Sequence, residues 1–87
     1  MMMKQTYTIV NPQGFHVRPT KVFVDKAITY PCDVFLISKN RRMNGKSSLG
    51  VMSLGLKKSD EVTLEVNGEL EEEALAGLGE VLVSIHD

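Results

Sequence analysis

Residues alternate through "TYTIV", Thr6 to Val10, in the period of a strand with one face on a core. Asn11, Pro12 and Gly14 then supply turn chemistry. From Val17 to Ile28 the period changes. Thr20, Phe23, Val24 and Ala27 recur at helical spacing while Lys21, Asp25 and Lys26 fall on other faces, which predicts a first helix. Pro31 acts as a stop, "DVFLIS" at Asp33 to Ser38 predicts a second strand, and the Lys39-Asn40 step turns the chain into a short strand around Arg41 to Met43. "KSSLGVMSLG", Lys46 to Gly55, reads as a serine-capped amphipathic helix with Leu49, Val51, Met52 and Leu54, stopped at Gly55. "EVTLEV" at Glu61 to Val66 alternates as a last strand, and Asn67-Gly68 turns it. Glu71 to Ile85 then predicts a closing helix with Ala74, Leu75, Leu78, Leu82 and Ile85 inward. Gly77 and Gly79 weaken that helix by about 1 kcal/mol each relative to Ala.

The order strand, helix, strand, strand, helix, strand, helix implies an antiparallel or mixed sheet covered by helices on one face, a split βαβ arrangement of the α+β class. With 87 residues the chain reads as one domain over 1–87. Hydrophobic residues make up 43% and charged residues 24%, and no apolar run approaches the roughly 18 residues of a membrane span, so a soluble protein that is not membrane-embedded is expected. The N-terminus has no apolar stretch ending in a cleavage site, which makes the cytoplasm the expected location. Cys32 is the one cysteine, so an internal disulfide is excluded and a small buried thiol is expected. No Cys/His group has zinc spacing.

Net charge is −1, yet the halves differ: residues 1–50 carry eight Lys/Arg against two Asp, and residues 51–87 carry two Lys against nine acids. If the basic residues share a face, it favours phosphate or acidic partners; scattered, they are merely solvated. A Gly-rich phosphate loop and internal repeats are both absent from the sequence, so chemistry must come from a few polar residues at element ends.

Two places qualify. If a helix begins at Val17, His16 stands at its N-cap, where the first backbone N–H groups have no intrahelical partner and can cradle an anion. Pro19 suits the first turn, and Gly14 frees the backbone before it. Arg18 adds a permanent planar cation, so Val17 and Arg18 are the candidate phosphoryl-binding positions and His16 and Arg18 the candidate catalytic pair. Phosphoryl transfer asks mainly for in-line positioning and positive potential, and His16 would be the nucleophile. The competing reading is a capping histidine beside a solvated arginine. At the second place, Ser47 or Ser48 caps the short helix, or is a phosphorylation site that adds about −1.5 to −2 charge units. Ser48, Leu49 and Met52 form a candidate docking patch, with core packing as the alternative for the two apolar residues. His86 reads as incidental.

"GFHVRP" at Gly14 to Pro19, with "KSSLGVMSLG" and the same element order, resembles the HPr family, histidine phosphocarriers of the bacterial phosphoenolpyruvate-dependent sugar phosphotransferase system. The resemblance runs from about Tyr7 to Ile85. It implies an open-faced β-sandwich in which a four-stranded antiparallel sheet carries three helices on one face, in the order βαββαβα. It implies that His16 takes a phosphoryl group on Nδ1 from enzyme I and passes it to the A domain of a sugar permease, with Arg18 helping to hold it. Such a protein is a phosphoryl carrier with a phosphohistidine intermediate rather than an enzyme, and needs no metal or organic cofactor. "GVMSLG" is similar to the Gram-positive branch, in which the residue matching Ser47 is phosphorylated by HPr kinase/phosphorylase and the product joins a catabolite repressor.

Two departures stand out. Thr20 replaces the family's usual Ala on a core-facing position, and Ser48 replaces a large apolar residue, whose burial is worth roughly 1.5–3 kcal/mol, so the docking patch loses apolar area. A regulatory relative of the family lacks the active histidine, whereas this chain keeps His16. The alternatives are a regulatory paralogue acting mainly through Ser47, and an anion- or RNA-binding domain. The last is disfavoured: aromatic residues are only 6%, and Trp is absent, so no nucleic-acid partner is expected.

Overall fold

The computed structural model describes residues 2–85. Its elements are β1 (Met2–Thr8), α1 (Val17–Ile28), β2 (Asp33–Ser38), β3 (Arg41–Asn44), α2 (Ser48–Ser53), β4 (Glu61–Asn67) and α3 (Glu71–Leu82). The strands form one sheet in the order β1-β4-β2-β3, and every pairing is antiparallel. β1 and β2 thus run parallel with β4 between them, so the α1 connection is a split βαβ crossover.

The strand alternation decides which face is covered. Val34 and Leu36 of β2 and Val62, Leu64 and Val66 of β4 are buried against Phe23, Val24 and Ala27 of α1 and Ala74, Leu78 and Leu82 of α3. On the other face, Arg42 lies 3.7 Å from the Phe35 ring centroid and pairs with Glu65 at 2.8 Å, a cation that shields both an aromatic ring and a carboxylate from water. Cys32 is buried with the core, as expected.

The first strand runs over Met2–Thr8 rather than Thr6 to Val10. Its register against β4 extends from Met2 opposite Asn67 to Thr8 opposite Glu61, so pairing with a distant strand, not local alternation, makes Met2–Gln5 extended. Ile9 leaves the ladder and exchanges backbone bonds with Asp60 and Ser59 instead. The closing helix stops at Leu82, and Ile85 is 66% exposed rather than inward. There the backbone tightens, with Ser84 N–H on the Val81 carbonyl, and the Ser84 hydroxyl donates to the Glu80 carbonyl. His86 lies outside the described residues. None of the helices among the described residues is long and apolar enough to cross a membrane.

The connectivity gathers several termini at one end of the molecule. Thr8 and Glu61 are opposite each other, Ser38 and Arg41 are opposite each other, and the Ser38 hydroxyl donates to the Glu61 carbonyl. The segment leading into α1 joins this end through Phe15 N–H on the Leu56 carbonyl.

Candidate functional site

The approach to α1 is fixed from Asn11 onward. The buried Asn11 amide donates to the Gly14 carbonyl at 2.7 Å, and Gly14 N–H returns to the Asn11 carbonyl at 2.9 Å, closing a turn around Pro12 and Gln13. Gly14 has φ +73°, and a Cβ there would stand 2.5 Å from the Leu56 carbonyl oxygen, so the position takes only glycine without strain. Phe15 is buried and meets Phe23 edge to face at 6.0 Å, which pins the residue before His16 to the core.

His16 is the N-cap of α1, in extended conformation, and its carbonyl accepts the first helical bond from Thr20 N–H. The imidazole makes no capping bond, so the capping alternative left open by the sequence does not describe it. The ring is half-buried. Its Nε2 is enclosed without a hydrogen-bond partner, the only buried side-chain nitrogen or oxygen so left among the described residues. Nδ1 is not enclosed in this way. The first-turn N–H groups of Val17 and Arg18 have no intrahelical partners, and Pro19 has no N–H. Gln13, His16, Val17, Arg18 and Lys21 line an open depression of about 550 Å³. It therefore sets a ring nitrogen beside an exposed guanidinium and a helix N-terminus whose first turn carries no acid, an arrangement suited to an anion attached to the ring.

The second candidate place is built differently. Ser47 is the N-cap of α2, its Oγ accepting from Gly50 N–H at 3.1 Å. Ser48 is exposed, as are Leu49 (85%) and Met52 (40%), while Val51 and Leu54 point into the core. Leu49 is thus surface, whereas Met52 is exposed only in part and also packs against α1 through its sulfur. Val17, Thr20, Lys21, Asp25, Ser48 and Met52 line a groove of about 270 Å³ between α1 and α2, so Val17 joins the two places; Ser47 and Leu49 do not line it.

Contacts of three residues, Thr20, Lys39 and Arg41, that sequence reasoning missed set the α2 position. The Thr20 hydroxyl lies 3.2 Å from the Met52 Sδ and 3.2 Å from the Phe15 carbonyl, tying the His16 approach to α2. Lys39 Nζ donates to the Gly55 carbonyl at 3.0 Å and pairs with Asp60 at 3.1 Å, and Arg41 donates to the Ser53 carbonyl at 2.5 Å. Cations there favour the negative end of α2. Asp60 also accepts from Lys57 N–H, and this bond, followed by Lys39, holds its carboxyl below the usual carboxylate range. No local signal marks Lys39 or Arg41, because their partners lie more than ten residues away. The described residues hold no group of three His, Cys, Asp or Glu that could bind a metal.

The model of the family "PTS HPr component phosphorylation site" matches residues 3–84. Phosphocarrier protein HPr of Lysinibacillus sphaericus is 36% identical over 84 residues, covering 97% of this chain and 96% of the relative. The crystal structure of a phosphocarrier protein HPr from Bacillus anthracis superposes with a TM-score of 0.89 at 28% identity, covering 93% and 96% of the two chains. Crh, the Bacillus subtilis catabolite repression containing protein, gives a TM-score of 0.74 at 37% identity over 90% of each chain, in a structure that is a domain-swapped dimer. The expected open-faced sandwich, all-antiparallel and in the order βαββαβα, is the fold of these HPr structures. On its sequence and its fold, this chain belongs to the HPr family of phosphocarriers of the phosphotransferase system.

Proposed function

We propose that this chain accepts a phosphoryl group on His16 from phosphorylated enzyme I and passes it to the A domain of a sugar permease in the cytoplasm. The observation that carries the proposal is the ring at the head of α1, with Nε2 and not Nδ1 enclosed without a partner, and Arg18 in the same depression. Acting as the neutral ring with its proton on Nε2, His16 attacks the phosphorus through the Nδ1 lone pair. The N–P bond to Nδ1 forms as the donor's N–P bond breaks, and that bond's electron pair stays on the donor nitrogen. The N–H groups of Val17 and Arg18, with the guanidinium, stabilise the equatorial oxygens, and reversal with an acceptor histidine empties the site. The chain is then a carrier rather than an enzyme.

Ser47 is the proposed target of HPr kinase/phosphorylase. A phosphate there adds charge beside the exposed Ser48, Leu49 and Met52, which are proposed to dock partners, a catabolite repressor among them. The similarity to Crh supports a second reading, a regulatory paralogue working mainly through Ser47. Phosphoenolpyruvate, enzyme I and this chain separate the two. The carrier reading expects a phosphoryl mass that His16→Ala loses and Ser47→Ala retains. Incorporation only from ATP in the presence of HPr kinase/phosphorylase, abolished in Ser47→Ala, would replace it with the regulator.

A further inference from the structure

We propose that Lys21 is a second cationic ligand of the phosphoryl group, held on Asp25 in the free protein and released when His16 carries the group. This rests on the reading of His16 above. Lys21 stands three residues beyond Arg18 in α1, and it lines both the depression that holds His16 and the adjoining α1–α2 groove. In the free protein its ammonium lies 2.9 Å from the Asp25 carboxylate, with the two side chains 75% and 61% exposed. That bond draws Lys21 toward the helix C-terminus, whereas helical side chains lean toward the N-terminus. A cation four residues ahead of an acid is also the weaker order on a helix, and exposed pairs of this kind bind weakly. The hold of Asp25 is therefore easily lost.

The first turn of α1 has no acid, so Arg18 and Lys21 both stand near the positive end of the helix. Both line the depression that holds His16, so an anion on the ring meets two cations. A phosphoryl dianion on His16 offers Lys21 more charge and more acceptor oxygens than one carboxylate does.

Phosphoramidate, a phosphoryl donor that needs no partner protein, separates this claim from the one beneath it. Its P–N bond breaks as a P–N bond to His16 forms; ammonia leaves with the electron pair of the broken bond, and the ring keeps its Nε2 proton. The full chain and its Lys21→Gln, Lys21→Arg and Asp25→Asn variants are treated with it. Intact mass follows phosphohistidine formation, and carbon-13 NMR follows the Asp25 carboxyl. On phosphorylation the Asp25 signal should move in the natural chain and stay in Lys21→Gln. Formation should slow about two- to fivefold in Lys21→Gln, recover in Lys21→Arg and quicken in Asp25→Asn. An unmoved Asp25 signal with equal rates in all four proteins overturns the role of Lys21 and leaves His16 as the acceptor. Absence of phosphohistidine in the natural chain overturns the His16 reading, and the Lys21 claim with it.

Discussion

Gly14 shows how far a single backbone position governs the site. Its φ of +73° and the Leu56 carbonyl against it leave no room for a Cβ, and Phe15 and His16 follow directly. Gly14→Ala should cost about 1–3 kcal/mol in urea unfolding and slow phosphorylation of His16, since the shift passes into the N-cap. A variant as stable and as fast as the natural chain would show that the approach tolerates movement. At this scale the sequence was informative where chemistry is carried by residue type. His16 and Arg18 stand out because an imidazole and a guanidinium flank a helix start. Thr20 was legible as a core-facing helix position and is buried, but its hydroxyl's place between the Phe15 carbonyl and Met52 was not, because Met52 is distant in the chain.

The element most dependent on others is α2, six residues long and too short to persist alone. Ser47 caps one end, while Arg41 and Lys39 hold carbonyls at the other. Lys39 and Asn40 both have positive φ, the requirement of a tight two-residue hairpin turn, which aims Lys39 across at Gly55 and Asp60. Ser47→Ala should therefore destabilise the protein by about 1 kcal/mol, read as a lower urea midpoint with an unchanged slope. No loss would mean that the clamp at the far end suffices. α1 and β2 were legible to the residue because an uninterrupted helical or alternating period ends at a clear breaker. β1 was not, since "MMKQT" alternates poorly and is extended by β4. The end of α3 was not either: Val83 and Ile85 continue the apolar pattern past the surface it could cover.

Across the whole molecule, charge divides between two ends that do not follow the two halves of the sequence: Lys57 and Lys58 of the second half stand at the His16 end, and Asp33 of the first half at the other. Arg18, Lys39, Arg41, Lys57 and Lys58 belong to elements or loops at the His16 end and outnumber Asp60 and Glu61 there, whereas Asp33, Glu69, Glu71, Glu72 and Glu73 belong to the other end and outnumber Lys26 and Lys46. Such a dipole turns the His16 end toward acidic partners, so the rate of phosphoryl transfer from enzyme I should fall about tenfold from low to roughly physiological salt. A salt-independent rate in stopped mixing would remove steering. Acid should also unfold the protein through its depressed carboxyls. Asp60, held by Lys57 N–H and then Lys39, and Glu71, held first by Gly68 N–H, lie below their usual 3.8 and 4.5. Their stabilisation is present above those values and is lost as pH falls through the lowered ones, so Asp60→Asn with Glu71→Gln should flatten the acid limb of stability against pH in urea titrations. An unchanged limb would place the acid response elsewhere. The most direct test of the site is nitrogen-15 NMR of the chain after phosphorylation by enzyme I and phosphoenolpyruvate, read at the two ring nitrogens of His16. A phosphorus-coupled Nδ1 with a protonated Nε2 is the expected result. A phosphoryl group on Nε2, or none on His16, would contradict the site as built here.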